Sequence, residues 1–165
     1  MLKEIVVIGA MAGSRRVIGF QGRLPWPGIP VDLQRFRRLT WGQTLILGRK
    51  TWDLELGRQP LPGRKMIIVS GDPHWAEQYG DVGWAGSLAE GIEKAPTQQV
   101  FVGGGAGLFA EALPIAQRLE LTLIEQDYPG DTFFPDWQSW IPRRYGLVHR
   151  ETHPGFEFRT YAVNP

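Results

Sequence analysis

Short apolar runs rich in β-branched residues recur along this chain, and between them apolar positions return every three or four residues. The runs predict strands over residues 5–10, 44–47, 65–70, 82–85, 99–102 and 119–125. The helical spacing predicts helices over residues 31–41, 51–56, 87–95 and 108–113. Ser87-Leu88-Ala89-Glu90 has the form of a capping box, which marks a helix start. Strands that are apolar almost throughout and alternate with helices predict a mostly parallel sheet covered on both faces. The pattern changes near the C-terminus. There, residues 145–151 and 156–163 flank His153-Pro154-Gly155 and read as an antiparallel hairpin at the sheet's edge. The expected class is α/β: a mostly parallel central sheet with an antiparallel C-terminal hairpin, and helices on both faces.

Two connections break the regular spacing. Residues 12–30, rich in Gly, Pro and Arg, join the first strand to the first helix, and a loop this long in a small domain is usually a lid or a binding loop. Residues 57–64 form a second, in which Pro-Leu-Pro-Gly presents Arg64. Both follow elements that could bring them to the carboxyl ends of parallel strands, where ligands collect in such sheets.

Composition narrows the chemistry. The 165 residues suit one domain, and a formal net charge of +1 without charge blocks gives no footprint for nucleic acid or a membrane surface. There is no cysteine, which excludes disulfides, thiolate catalysis and thiolate metal sites. The apolar run after Lys3 and Glu4 is too short for a signal peptide or a membrane span, so a cytoplasmic protein is expected. His74, His149 and His153 lack metal-ligand spacing, and no metal is expected.

Asp32 opens the first helical pattern, four residues before Phe36 and beside the apolar positions Leu33, Phe36 and Leu39. Taken alone, an acid after Pro30 in a first turn usually caps the helix or complements its dipole. The alternative is a carboxyl at the floor of an apolar cleft, with its proton held more tightly by burial.

The series around it decides the reading. Val17-Ile18-Gly19, Leu24-Pro25-Trp26, Asp32-Leu33 and Phe36 are followed by Leu47-Gly48-Arg49-Lys50-Thr51-Trp52 and Leu61-Pro62-Gly63-Arg64. Ile67-Ile68-Val69-Ser70, Val102-Gly103-Gly104-Gly105, Leu121-Thr122 and Gly130-Asp131-Thr132-Phe133-Phe134-Pro135 complete it. In this order and spacing the chain resembles the chromosomal bacterial dihydrofolate reductases over nearly its whole length. The resemblance implies a single domain with an adenosine-binding subdomain over residues 43–95. It implies NADPH-dependent reduction of dihydrofolate to tetrahydrofolate for one-carbon metabolism, inhibition by antifolates, and a monomer.

The resemblance also implies roles. Asp32 would be the active-site acid, Thr122 the hydroxyl that supports it, and Trp26 the indole beside an ordered water. Leu33 and Phe36 would grip the pterin and aminobenzoyl rings, and Arg64 would clamp the substrate's α-carboxylate. Ala10, Ile18 and Gly19 would line the nicotinamide. Gly48, Arg49, Lys50 and Thr51 would sit at the cofactor phosphates, with Ser70 and Arg49 at a 2′-phosphate. Gly103, Gly104 and Gly105, followed by Phe109, would carry a strained peptide between cofactor and substrate, its pair left open because this glycine run is one residue longer than usual.

A rival reading takes Gly105, Gly107 and Ala110 as a dinucleotide fingerprint with Glu125 on the ribose, although it occurs late and without a matching half. Two further functions compete: a same-fold pyrimidine reductase of riboflavin synthesis, and a non-catalytic module that binds a pterin or nucleotide.

Overall fold

In the computed structural model, which describes residues 2–75, 80 and 82–165, one sheet of ten strands organises the chain. The strands are β1 (Glu4–Ala12), β2 (Val17–Gly19), β3 (Thr44–Gly48), β4 (Lys65–Val69) and β5 (Gly83–Ala85), then β6 (Gln99–Val102), β7 (Arg118–Ile124), β8 (Thr132–Phe133), β9 (Tyr145–His153) and β10 (Phe156–Val163). The order β5-β4-β3-β6-β1-β7-β10-β9 is parallel from β5 through β7 and turns antiparallel at β10 and β9. The expected class holds.

Alternation along the strands sends side chains to two different layers. Val7, Ile46, Ile67, Val100 and Val102 point toward α2 (Leu88–Lys94) and α3 (Ala106–Ala112), whose Leu88, Leu108, Phe109 and Ala112 join the same core. Val6, Ile8, Leu45, Leu47, Ile68 and Phe101 face the other way. There Phe36 and Leu39 of α1 (Pro30–Thr40) pack with Trp52 and Trp75. Helices therefore cover both faces.

The helix ends depart from the sequence pattern for local reasons. Pro30 takes the first helical position, where its missing N–H costs nothing, so α1 begins one residue early. The Ser87 hydroxyl accepts from the Glu90 N–H at 3.1 Å, while the Glu90 carboxylate reaches back to the Gly86 N–H at 2.7 Å. α3 starts at Ala106 rather than Leu108, because Gly105 is still extended and accepts from Phe109 N.

Residues 51–56 do not form a plain helix. Leu56 N donates to Thr51 O at 3.1 Å, a five-residue step that makes Thr51–Glu55 a wide π turn. Residues 12–30 are not a free loop either. They carry β2, which pairs with β1 and β8, and Asp131 fastens them by accepting from Gln21 N and donating its own N–H to Gly19 O. No helix among the described residues is long and apolar enough to cross a membrane.

Candidate active site

Where β1, β3 and β6 end, the sheet opens into two adjoining hollows, of about 400 Å³ and about 930 Å³, both large enough for small organic ligands. Ile18, Thr51, Glu55 and Gly105 line both, so the two meet at a common wall.

Asp32 stands on the floor of the smaller hollow and does not cap α1. Ile29 is the capping residue, and no side-chain bond is made at that helix end. The Thr122 hydroxyl of β7 instead donates to Asp32 Oδ1 at 2.7 Å. Burial holds the Asp32 proton more tightly than usual, and the Thr122 bond and the nearby Arg35 guanidinium partly oppose it. Next to this pair, Arg35 on α1 is ion-paired with Glu120 on β7, both deeply buried.

The opposite end of the same hollow is cationic. Arg64 and Arg37 both line it, and their guanidinium carbons lie 5.5 and 4.9 Å from the centre of the Trp41 ring. Trp41 follows the last turn of α1 and packs against Gly63, whose φ of +80° turns the chain toward Arg64. The Arg64 Nε and Nη1 are buried without hydrogen-bond partners. Burial, and then the neighbouring Arg37, lower the Arg64 proton affinity. Two orphaned donors on a cation make a seat for an anion.

Between these ends the lining is apolar: Ala10, Ile18, Phe36, Leu56, Leu61 and Leu33. Leu33 is 57% exposed, so it belongs to the cleft mouth and not to the core stripe that its spacing suggests. The buried positions of α1 are Arg35 and Thr40.

The glycine run forms the common wall. The peptide between Gly104 and Gly105 is cis, which resolves the pair the sequence left open. Gly48 N donates to Gly104 O at 2.8 Å, fastening the run to the end of β3. Gly104 has φ +122°, where a side chain would be strained, and an added Cβ would lie in contact with the Phe109 ring.

The larger hollow runs past Gly19, Gly48, Arg49, Lys50, Thr51 and Ser70. Arg49 and Lys50 are exposed, with Arg49 3.5 Å from Asp53. Ser70 is buried, and its Oγ accepts from Asp72 N at 3.2 Å. Every residue to which the family resemblance gave a site role lines one hollow or the other except Trp26, whereas Ala110 and Glu125 of the rival fingerprint line neither. Trp26 packs behind the cleft with Ala12, Ile124 and Ile29, its ring edge-on to Tyr128. Sequence reasoning missed Arg35, Arg37, Glu55 and Trp41. Only Arg35 had a local signal, the i+3 spacing from Asp32. The Glu55 carboxyl, open to the cleft but crowded by its walls, is pushed up to about 7 by burial.

A family model for dihydrofolate reductase matches residues 4–163. The chain belongs to the dihydrofolate reductase family. It is 36% identical to dihydrofolate reductase type 3 of Salmonella typhimurium, over 96% of this chain and 93% of that one. It is 34% identical to dihydrofolate reductase HdrB of Haloferax volcanii, over 96% of this chain and 82% of that one. Among solved structures it resembles a dihydrofolate reductase from Enterococcus faecalis complexed with NADP(H) and RAB-propyl, with TM-score 0.83, 30% identity, and 98% and 97% of the two chains covered. Its fold is that of the dihydrofolate reductases.

Proposed function

We propose that the smaller hollow holds dihydrofolate lengthwise, its pterin on Asp32 and its glutamate on Arg64, while NADPH lies along the larger hollow. The activity is that of the family: an NADPH-dependent oxidoreductase that converts dihydrofolate to tetrahydrofolate for one-carbon metabolism. One observation carries the reading of the site: a supported carboxyl and an unpartnered guanidinium line opposite ends of a single apolar cleft.

The residues divide the work. Thr122 occupies Asp32 Oδ1 and turns the other oxygen toward the amino group and ring nitrogen of a pterin. A carboxyl whose proton affinity is raised by burial holds its proton to higher pH than a free one and can couple it to the pterin ring nitrogen. Phe36 and Leu33 grip the rings and exclude water from the acid. Arg64 takes the α-carboxylate through its guanidinium, whose Nε and Nη1 have no protein partners and whose planar fork lysine cannot reproduce. Trp26, in the cluster against which Ile29 at the start of α1 packs, steadies the turn that carries Asp32 and would border an ordered water.

The second hollow fits the cofactor. Gly48 and Gly105 leave its floor bare, and Arg49 and Lys50 stand exposed at its rim for phosphates. Thr51 joins them from the π turn, Ser70 and Arg49 border the 2′-phosphate, and Ala10, Ile18 and Gly19 border the nicotinamide. Gly103, Gly104, Gly105 and Phe109 form the partition. Bound there, NADPH supplies the hydride, and the protein supplies orientation and a tuned acid. Residues 43–95 would hold its adenosine half. The chain would work as a cytoplasmic monomer.

The test is direct: follow NADPH absorbance with dihydrofolate, then add a diaminopyrimidine antifolate. Rapid loss stopped by the inhibitor supports the reading. Binding of NADPH without oxidation would overturn it.

A further inference from the structure

α1 and β7 face one another as two parallel pairs of side chains. On α1, Asp32 and Arg35 lie three residues apart, on one side of the helix. On β7, Thr122 and Glu120 lie two apart, on one side of the strand. Thr122 meets Asp32, and Glu120 meets Arg35. The acid on the cleft floor therefore has a buried ion pair as its immediate neighbour, and Arg35 itself lines the cleft.

That pair is held on every side. The Arg35 guanidinium carbon lies 4.4 Å from the centre of the Phe158 ring. Glu120 also accepts from Arg118 Nε at 2.9 Å and from Thr160 Oγ1 at 2.8 Å, and Arg118 is paired in turn with Glu4. Side-chain exposures of 10% for Arg35 and 5% for Glu120 leave little water to screen them from Asp32. The result is a run of alternating charge, Glu4, Arg118, Glu120, Arg35 and Asp32, leading from the start of β1 to the cleft floor. The other charged groups nearby are Glu151 on β9, whose carboxyl feels Arg35, and Glu55, Arg37 and Arg64, which line the same cleft.

We propose that Arg35 and Glu120 are a positioning couple that sets the charge state and orientation of Asp32 from behind the substrate cleft. Neither touches the reacting atoms. Arg35 favours the ionised acid, and Glu120 neutralises part of that influence while fixing where the guanidinium sits. The couple confines Asp32 to an intermediate proton affinity, between what burial alone and an unshielded arginine would impose. The functional meaning rests on the assignment of Asp32 as the active-site acid.

This arrangement demands shifts of opposite sign. The test is a carbon-13 NMR titration of the Asp32 carboxyl in the whole chain, without substrate or cofactor, repeated in single variants. Arg35→Gln removes a cation and uncovers Glu120, so the midpoint should rise by about one pH unit. Glu120→Gln unshields Arg35, so the midpoint should fall. Arg35→Lys retains the charge and should stay close to the parent, and the double Gln variant should lie between the singles. The pH profile of kcat/KM should move in the same directions. A purely structural couple would lower stability in each variant without opposing shifts. Equal or same-sign shifts for the two Gln variants would overturn the proposal. Should Arg35→Gln fail to fold, Glu120→Gln decides alone: a midpoint that is unmoved or raised contradicts it. The titration reads Asp32 whether or not the chain turns over, so a failure of the couple is distinguishable from a failure of the assigned activity.

Discussion

Asp32 of α1 and Thr122 of β7 meet at 2.7 Å across the seam between helix and sheet, 90 residues apart in the chain, and this contact gives the acid its orientation. Without the hydroxyl, burial would act on the carboxyl less opposed. Thr122→Val is expected to raise the pH at which activity declines and to lower kcat/KM about tenfold, near the upper end of what one hydrogen bond contributes. A pH–rate profile checks both. An unmoved decline would mean that the hydroxyl does not support the reacting acid.

Arg64 is expected to act on binding alone. Arg64→Lys retains the charge but loses the fork, and Arg64→Ala loses both. KM for dihydrofolate should rise on the order of tenfold in the first and a hundredfold in the second, with kcat nearly unchanged. A substrate lacking the glutamate tail provides the control. Its KM should be high in the parent and indifferent to Arg64.

Much of this site could be read from the chain before any coordinates, and what could not has physical causes. The apolar strands were legible because a sheet covered on both faces leaves few polar positions in its central strands. Asp32 and Arg64 were legible from their place in an ordered series. Arg35 was not, because an arginine on a helix reads as solvated until its partner is known, and Glu120 lies 85 residues away. The three residues of β2 read as loop because their pairing with β8 is more distant still in sequence. The π turn at Thr51–Glu55 shares its composition with a plain helix, and only its five-residue hydrogen bond separates the two.

The Glu55 carboxyl should leave a mark on stability. Its proton affinity in the folded chain is raised to about 7 from an ordinary 4.5, so its contribution is complete below about pH 4.5 and is lost as pH climbs through about 7. Asp32 works in the same direction. Glu55→Gln is expected to flatten, without abolishing, the decline in urea midpoint between about pH 5 and about pH 8. An unchanged decline would remove Glu55 as its source.

Gly104 offers a steric check on the partition between the hollows. Its φ of +122° and the Phe109 ring 3.4 Å from where a Cβ would sit leave no strain-free place for alanine. Gly104→Ala should destabilise by about 1–3 kcal/mol and weaken NADPH binding, seen as a lower Tm and a weaker quench of tryptophan fluorescence by the cofactor. Retention of both would mean that the partition is more pliant than its geometry implies.

The acid is the centre of the account, and its replacement by the isosteric amide is the sharpest test. Asp32→Asn leaves the cleft its shape and removes the proton. Turnover of dihydrofolate by Asp32→Asn, followed through NADPH absorbance near neutral pH, is expected to fall by about a hundredfold or more. A loss smaller than about tenfold, ~1.4 kcal/mol of transition-state stabilisation, would contradict the role given to Asp32.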